Sequence, residues 1–281
     1  MMPLAFQVSQ LMWIAGYSQI SATNQELPRI AIVIPARLNS ERLPGKVLLD
    51  IRELPMLEHV RRRSNLNKYG INSTVLSGDT AILDVTRNYG GSAFESLEEH
   101  LNGLSRVGEY ARLNDYDYYV IVQGDEILLL PRHLDALISH LYDNPDIQMV
   151  NCVTAINNES EIHDESIVKC IKNSKGEILY IFRKTPLTCE IEKQRSLVLK
   201  INGLFAISKN ALELATTSSK QPIEENESIE QMKLIELGIR VNLELLDTAY
   251  PSINLKRDVS IVEETFDRDP EQHSILVSIL N

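Results

Sequence analysis

Short runs of hydrophobic residues alternate along the first half of the chain with longer segments in which hydrophobic residues recur every three or four positions. The short runs are typical of buried β-strands, and the longer segments are typical of helices with one apolar face. The strand-like runs cover residues 30–36, 73–78 and 118–126, and the helix-like segments cover 55–66, 81–89, 100–113 and 131–142. This alternation predicts an α/β fold with a mostly parallel sheet that is flanked by helices on both faces.

The pattern changes after about residue 148, where longer strand-like runs follow one another. They cover residues 149–156, 166–184 and 196–208, and a helical segment over 228–238 and a last strand over 239–247 come after them. Asn173–Gly176 interrupts the second run and is typical of a hairpin turn. We interpret this part as an antiparallel excursion from the sheet. Its hydrophobic strands predict a dimer surface.

Residues 30–281 contain no linker rich in Pro, Gly or Ser and no internal repeat, so we expect them to form one domain. Residues 1–29 contain no Lys or Arg before Arg29, and polar residues interrupt their apolar stretch. This segment matches neither a secretory signal nor a membrane span of about 20 apolar residues. We interpret it as an N-terminal extension. It is either a short amphipathic helix or an over-long start, in which the sequence begins upstream of the true first residue.

The overall charge limits the classes of partner. The net charge is −11 and 43% of the residues are hydrophobic, so the chain is a globular protein without the basic surface that nucleic-acid binding requires. A phosphate ligand must therefore meet a local cluster of Lys and Arg. The three cysteines have no spacing typical of a metal site, so we expect reduced thiols in a cytoplasmic protein.

Polar segments follow three of the predicted strands, at the point where each strand ends. They are residues 37–46, 77–79 and 123–126. The carboxyl ends of parallel strands meet at the same edge of a sheet, and ligands bind outside that edge. We therefore expect the three segments to lie along one rim.

The first of these segments, within IPARLNSERLPGK, is a basic loop that contains Arg37, Arg42 and Lys46 around a Pro-Gly pair. Arg binds phosphate oxygens through a planar fork, and Lys binds them as a point charge. A surface turn with scattered charges is the alternative. On this segment alone, phosphate binding is only slightly favoured, because lone basic loops are common.

The third segment, within VIVQGDE, places Asp125 and Glu126 directly after a buried strand. Asp125 is a candidate ligand for Mg²⁺, which takes one or two carboxylates together with phosphates and waters. A helix cap for the following segment is an equally good interpretation of these two acids taken alone. The two segments support each other, since a triphosphate needs cations for its oxygens and an acid for its metal.

Four segments, IPARLNSERLPGK, EHLNGLSR, VQGDE and EENESIEQMK, resemble motifs of the CMP-Kdo synthetases, or 3-deoxy-manno-octulosonate cytidylyltransferases, in the same order. The family patterns are IPAR-x-x-S-x-R-L-P-G-K, DH-x-SGTER, VQGDEP and E-x-x-E-x-x-EQ. The resemblance runs from about Ile30 to Glu264, and the first and third motifs together are specific. Sialic-acid cytidylyltransferases share the fold, but their first loop reads differently. The resemblance implies a Rossmann-like fold of the nucleotide-diphospho-sugar transferase type.

It also implies a reaction, in which CMP passes from CTP to the anomeric hydroxyl of Kdo or a related acidic 3-deoxy-ulosonic sugar and pyrophosphate is released. The resemblance agrees with the Mg²⁺ cofactor, while the homodimer is expected from the hydrophobic excursion and the cytoplasmic location from the cysteines. The nucleotide would be bound by Pro35, Ala36, Arg37, Ser40, Arg42, Lys46, Ser77, Gly103, Arg106 and Gln123. The sugar would be bound by His100, Asn102, Arg183, Glu230 and Gln231. The metal would be held by Asp125 and Asn254, and the catalytic set would be Arg42, Lys46, Gln123 and Asp125.

The chain departs from the family at several positions. In SINLKRDVSIV, Asn254 stands where the family's GVDTPEDL segment has its second metal aspartate. The family's HLGIYGYR becomes INGLFAIS, so that Ile201 replaces a histidine and Phe205 replaces a tyrosine. The SGTER loop contains Leu104 and Ser105 in place of a threonine and a glutamate, and FSRATIP becomes FRKTPLT. The residues implied for nucleotide binding therefore match the family patterns better than the residues implied for sugar binding. This difference indicates an altered acceptor sugar or reduced activity.

Three functions remain open on the sequence. The first is a CMP-sugar synthetase that acts on Kdo or a related acid. The second is a nucleotidyltransferase for another sugar, since LPGKVLLDI and LPMLEHV also resemble the spore-coat polysaccharide group. The third is a nucleotide-binding homologue with little transferase activity, which Asn254 makes credible.

Overall fold

The computed structural model of the chain describes residues 26–40, 42–100 and 102–280, and it contains helices packed around a central sheet. The strands are β1 (Ile30–Pro35), β2 (Asp50–Ile51), β3 (Leu54–Pro55), β4 (Ser73–Ser77), β5 (Ser92–Glu95), β6 (Tyr118–Val122), β7 (Met149–Ala155), β8 (Lys169–Lys172), β9 (Glu177–Phe182), β10 (Val198–Ser208) and β11 (Val241–Leu245). The helices are α1 (Met56–Ser64), α2 (Thr80–Asn88), α3 (Gly103–Leu113), α4 (Pro131–Asp143), α5 (Glu159–His163), α6 (Ile191–Leu197), α7 (Lys209–Thr217), α8 (Pro222–Glu227), α9 (Glu230–Glu236), α10 (Asp258–Arg268) and α11 (Pro270–Leu280). Residues 1–25 of the N-terminal extension lie outside the described residues, so both interpretations of that extension stay predictions.

Nine strands form the main sheet in the order β5-β4-β1-β6-β10-β7-β11-β9-β8, while β2 and β3 form a separate pair. The first four strands of the order are parallel to one another. Strands β1 and β6 are buried along nearly their whole length, as continuous hydrophobic runs require when helices cover both faces. The predicted α/β fold with a parallel sheet is confirmed for this half.

The second half of the sheet is mixed. Strand β10 is antiparallel to β6 and β7, while β11 is parallel to β7. Strands β8 and β9 form the predicted hairpin, whose turn ends at Gly176 with φ 81°. A side chain is disfavoured at that angle, which explains the glycine. The predicted antiparallel excursion is confirmed, and we call β8, β9, α5, α6 and residues 198–201 of β10 the arm.

Helices cover both faces of the sheet, as predicted. One face packs against α1, α4, α10 and α11 through buried residues that include Met56, Leu137, Phe266 and Leu276. The opposite face packs against α3, α7 and α9. No element was assigned to α10 and α11 from the sequence. In α11, the apolar residues Val277 and Leu280 are exposed, so the hydrophobic positions are not confined to the buried face of the helix.

Strands β4, β1 and β6 are adjacent and parallel, so their carboxyl ends form one rim. The three polar segments predicted to meet there do so. The carboxylate of Asp79, which follows β4, accepts a hydrogen bond of 2.8 Å from the backbone N–H of Leu38, which follows β1. In the described part of the chain, no helix combines the length and apolarity that a membrane crossing needs.

Candidate active site

The basic loop after β1 is folded on itself. The carbonyl of Leu38 accepts hydrogen bonds from the N–H groups of Ser40 and Gly45, and Gly45 has a φ of 72°. Glycine adopts this left-handed conformation without strain. The fold of the loop leaves Arg37 and Arg42 exposed at the rim, and a short 3₁₀-helix that begins at Lys46 follows.

Lys46 connects this loop to two other segments. Its ammonium Nζ lies 2.6 Å from the carboxylate Oδ2 of Asp125 and donates a hydrogen bond of 2.9 Å to the carbonyl of Ile253. The side chain of Lys46 is 12% exposed and that of Asp125 is 21% exposed. The two predicted catalytic residues are thus in direct contact at a site that solvent still reaches.

Asn254 lies beside the same loop. Its side-chain oxygen accepts a hydrogen bond of 2.8 Å from Nη2 of Arg42. The carboxylate of Asp258 accepts hydrogen bonds from the backbone N–H groups of Asn254 and Leu255, at 2.8 Å and 2.7 Å. Asp258 is the first residue of α10, and it fixes the approach of the segment that delivers Asn254 to the rim.

Asp125 and Asn254 offer one carboxylate and one amide oxygen, which are hard donors of the kind that Mg²⁺ takes together with phosphate oxygens and waters. Each is paired with a cation of the basic loop, Asp125 with Lys46 and Asn254 with Arg42. With these two oxygens holding a metal, Lys46 and Arg42 would be available to phosphate oxygens. The residues fit a divalent metal, with one negative charge fewer than two carboxylates would supply.

The turn after β6 is pinned to β10. The N–H of Gln123 donates to the carbonyl of Gly203 at 2.8 Å, and the N–H of Gly203 donates to Oε1 of Glu126 at 3.1 Å. Burial raises the pKa of Glu126 to about 7, and the charge of Asp125 acts in the same direction. The hydrogen bond from Gly203 and the charge of Lys46 oppose this shift.

The N-terminus of α3 also lies at the rim, on the face of the sheet opposite α1 and α10. Asn102 caps the helix, since its side-chain oxygen accepts from the N–H of Ser105 at 2.9 Å, and the helix therefore begins later than the predicted residue 100. Oε2 of Glu230 accepts from the N–H of Leu104 at 3.1 Å. Burial raises the pKa of Glu230. Glu230, a predicted sugar ligand, thus lies beside the predicted nucleotide residue Gly103.

Gly103 also lies against the end of β1. A Cβ at this position would be 3.3 Å from Cγ of Pro35 and 3.8 Å from Oε1 of Glu230, so any side chain would crowd the junction. Arg106, one turn further along α3, donates a hydrogen bond of 2.6 Å from Nη1 to the carbonyl of Ala36. Burial lowers the pKa of Arg106, while the charge of Asp79 opposes that shift.

His100 is engaged in a hydrogen-bonded group. Its Nε2 lies 2.6 Å from Oε2 of Glu109, whose Oε1 accepts from the N–H of Leu97 at 2.9 Å. Burial pushes the pKa of Glu109 upward, but the hydrogen bonds from His100 and Leu97 outweigh it and hold the pKa below its ordinary value. Because the side chain of His100 is only 4% exposed, its contact with a sugar stays a prediction.

Glu98 completes this group, since ligand atoms of Glu98, His100 and Glu109 all lie within 4.8 Å of one another. The carboxylate of Glu98 is paired with Arg112 at 2.5 Å, and that of Glu109 is engaged by two hydrogen-bond donors. The contacts of Glu109 with Leu97 and His100 anchor the loop that precedes α3, while Glu98 contributes an exposed ion pair.

The remaining predicted residues lie at different depths. Ser77 is buried, and its hydroxyl accepts from the N–H of Asp79 at 3.1 Å. Gln231 is buried on α9, next to Glu230. Arg183 follows β9 in the arm, where its Nη1 donates to the carbonyl of Glu165 at 3.2 Å. This hydrogen bond holds Arg183 within the arm and does not connect it to the rim.

Two of the departures from the family pattern fill the core. Leu104 and Phe205 are buried in the cluster beneath α3, α7 and α9, while Ile201 packs against the edge of that cluster. Phe205 pairs with Ile121 of β6 and with Asn151 of β7. A phenylalanine at this point needs no hydrogen-bond partner, whereas a buried tyrosine would need one.

Sequence reasoning missed several residues that build the site. Asp79 was noted only as part of a polar segment, and Asp258 and the carbonyl of Ile253 were not considered. Gly203 stands inside a strand, which is a known signal for a bulge or a close approach of another chain segment. Applied to INGLF, this signal would have found it.

Comparisons with known proteins agree with this geometry. A family model described as cytidylyltransferase matches residues 31–241. The chain belongs to the cytidylyltransferase family. Its relatives include 3-deoxy-manno-octulosonate cytidylyltransferases from Solibacter usitatus, 31% identical over 231 residues, and from Acidithiobacillus ferrooxidans, 33% identical over 224 residues. The first match covers 82% of this chain and 90% of the relative, and the second covers 75% and 88%.

A solved structure of CMP:2-keto-3-deoxy-manno-octonic acid synthetase complexed with CTP is also similar. Its TM-score is 0.79 at 28% sequence identity, over 86% of this chain and 99% of that one. The chain is therefore a nucleotidyltransferase of the CMP-Kdo synthetase family, and the resemblance identified from the four motifs is confirmed.

Proposed function

We propose that the protein transfers CMP from CTP to the anomeric hydroxyl of an acidic 3-deoxy-ulosonic sugar, with Kdo as the first candidate, and releases pyrophosphate. The contact of 2.6 Å between Lys46 and Asp125 carries this proposal, because it joins the basic loop and the acid of the turn after β6 at one rim. The names of the relatives support the choice of substrates. They favour this function over the spore-coat-type reaction and over nucleotide binding without transfer.

The basic loop receives the triphosphate. Arg37 and Arg42 are exposed at the rim and meet phosphate oxygens through planar forks, while Lys46 supplies a point charge. Mg²⁺, held by Asp125 and Asn254, would neutralise charge on the reacting phosphate and on the leaving pyrophosphate. Asp125 and Asn254 keep the loop cations in place before the nucleotide arrives, and this preorganised arrangement lowers the cost of binding.

The sugar approaches along the edge between β6 and α9. Gln123 follows β6, which is adjacent to β1, and Glu230 lies near Gly103, which contacts Pro35 at the end of β1. Gln231 is the next residue of α9 and is buried. Arg183 of the arm is the proposed partner for the sugar carboxylate. The anomeric oxygen forms a bond to the α-phosphorus as the bond to pyrophosphate breaks and the hydroxyl proton is released. Positioning and charge neutralisation drive such a transfer.

The arm supports a further proposal, a homodimer in the cytoplasm. Strand β8 pairs with β9 on one side and with β10 on the other, and Leu179 of β9 leaves about half of its surface available to a partner. The cysteines Cys152, Cys170 and Cys189 are free thiols, as a reducing compartment would keep them. Light scattering coupled to size-exclusion chromatography tests the dimer, since a molar mass near the 31.8 kDa of one chain would refute it.

The test of the function is a pyrophosphate-release assay with each of the four ribonucleoside triphosphates and a panel of acidic sugars, at several Mg²⁺ concentrations. We expect release with CTP and a 3-deoxy-ulosonic acid, and none with Asp125→Asn. The product should be identified as the CMP-sugar by mass. CTP binding without release on any sugar would contradict transfer and favour the nucleotide-binding homologue.

A further inference from the structure

We propose that Glu126 and Gly203 form a positioning pair that holds Asp125 in the orientation needed for the metal. In this pair Glu126 acts as the hydrogen-bond acceptor for the N–H of Gly203, neither as a metal ligand nor as a base. The inference rests on the proposed function, because it assigns a role at the same site.

The turn of residues 123–126 is closed at both ends by one glycine. Gly203 accepts a hydrogen bond from the N–H of Gln123 at 2.8 Å and donates one to Oε1 of Glu126 at 3.1 Å. The N–H of Glu126 also donates to the carbonyl of Gln123 at 3.1 Å. These three hydrogen bonds fix the residues on either side of Asp125.

Only a glycine permits this approach. A Cβ at position 203 would lie 2.4 Å from Oε1 of Glu126 and 2.8 Å from Oε1 of Gln123, far inside van der Waals contact. The pairing of β10 with β7 is irregular between Ile201 and Phe205, and Gly203 lies within that irregularity. Because β10 is irregular here and Gly203 has no side chain, the side chains of Gln123 and Glu126 can pack against its backbone.

The consequence for Asp125 is directional. Since Gln123 and Glu126 both turn toward Gly203, Asp125 between them is left to face Lys46, at 2.6 Å. A carboxylate that holds Mg²⁺ must be kept within a few tenths of an ångström, and supporting hydrogen bonds around a metal ligand supply that precision. Strand β10 therefore links the arm, where Arg183 lies, to the metal carboxylate.

The experiment measures how Mg²⁺ improves the affinity for CTP, by calorimetry on the full chain without any sugar. It compares the wild type with Glu126→Gln, Glu126→Ala and Gly203→Ala. The amide oxygen of Glu126→Gln still accepts the hydrogen bond, so we expect a Mg²⁺ dependence within twofold of wild type. Glu126→Ala and Gly203→Ala should each raise the half-saturating Mg²⁺ concentration fivefold or more, with unchanged CTP affinity when Mg²⁺ is absent.

Asp135→Ala is the matched control. Asp135 is a half-buried carboxylate on α4 that also accepts one backbone hydrogen bond, from the N–H of Lys68 at 2.8 Å. Its removal should leave the Mg²⁺ dependence unchanged. Circular dichroism checks that each variant is folded, and Glu126→Ala tests the proposal if Gly203→Ala does not fold.

Two outcomes would overturn the proposal. If Glu126→Gln is impaired as strongly as Glu126→Ala, the charge of Glu126 is needed and its role is not that of a hydrogen-bond acceptor. If the folded alanine variants behave like the wild type, the pair does not position Asp125. The proposed function can fail independently of this proposal, because the calorimetric assay contains no sugar. A wild type that gains CTP affinity with Mg²⁺ here, but releases no pyrophosphate with any sugar in the transfer assay, would refute the proposed function alone.

Discussion

The side-chain oxygen of Asn254 accepts a hydrogen bond of 2.8 Å from Arg42, across 212 positions of sequence. This contact places Asn254, which the family resemblance aligns with a metal aspartate, beside the basic loop. An amide oxygen coordinates Mg²⁺ without contributing charge. Asn254→Asp should therefore lower the half-saturating Mg²⁺ concentration for turnover, by about tenfold, which corresponds to about 1.4 kcal/mol.

The control for this prediction is Asn210→Asp, which adds the same charge on the exposed surface of α7. Helix α7 begins beside the start of β6, at the opposite end of that strand from the rim. Its Mg²⁺ dependence should match that of the wild type. Turnover is measured against Mg²⁺ at saturating CTP. Superimposable curves for Asn254→Asp and the wild type would place the metal away from Asn254.

Lys46 should matter more for the nucleotide than Arg42 does. Lys46 is largely buried and bridges Asp125 and the carbonyl of Ile253, whereas Arg42 is exposed and screened by water. We expect Lys46→Met to weaken CTP binding by at least tenfold and Arg42→Ala by less. Arg29→Ala, which removes an exposed cation next to the start of β1, should have no effect. Titration calorimetry with CTP measures all three, and equal losses for Lys46→Met and Arg29→Ala would remove the phosphate role of Lys46.

Glu109 should stabilise the loop before α3. Glu109→Ala leaves the N–H of Leu97 and the ring of His100 without their acceptor, at a cost of about 2 to 3 kcal/mol in the free energy of unfolding. Glu98→Ala removes only an exposed ion pair with Arg112 and should cost less than about 0.5 kcal/mol. Urea denaturation distinguishes the two. A small effect of Glu109→Ala would mean that the group does not anchor the loop.

The rim was predictable because its signals are local. A buried strand and the polar segment that follows it are adjacent in sequence, so Arg37, Ser77 and Gln123 could be placed at one edge from the rule for parallel strands. Asn254 was assigned to the site only through the family resemblance. Its contact with Arg42 agrees with that assignment.

Other features depend on contacts that no local pattern encodes. A glycine inside a strand signals a close approach at Gly203, but its partner Glu126 lies 77 positions away and could not be identified from that signal. Strand β5 was missed, because its four residues are all half-buried or exposed and lack a hydrophobic run. The burial of His100 against Glu109 follows from the fold of a loop, so the sequence alone gave no reason to separate an anchor from a ligand.

The titration of His59 should make the free energy of unfolding depend on pH. It is fully buried on α1, stacks on Phe266 with a centroid distance of 5.6 Å, and its Nε2 lies 2.7 Å from the carbonyl of Ile51. The neutral ring donates this hydrogen bond. Burial lowers the pKa of His59 from 6.5 to about 4, and the nearby charges of Arg63 and Arg62 act in the same direction.

Between pH 6.5 and pH 4 the unfolded chain therefore binds a proton at His59 that the folded chain does not bind. The stability contributed by this residue is complete above pH 6.5 and falls as the pH is lowered, by about 2 kcal/mol between pH 7 and pH 5. His59→Phe keeps the stacked ring and removes the titration, so the difference in unfolding free energy between these two pH values should shrink by about that amount. His163→Gln, at an exposed position, should leave the difference unchanged. Urea denaturation of the three proteins at both pH values measures it, and an equal pH dependence of wild type and His59→Phe would show that His59 is not held neutral in the core.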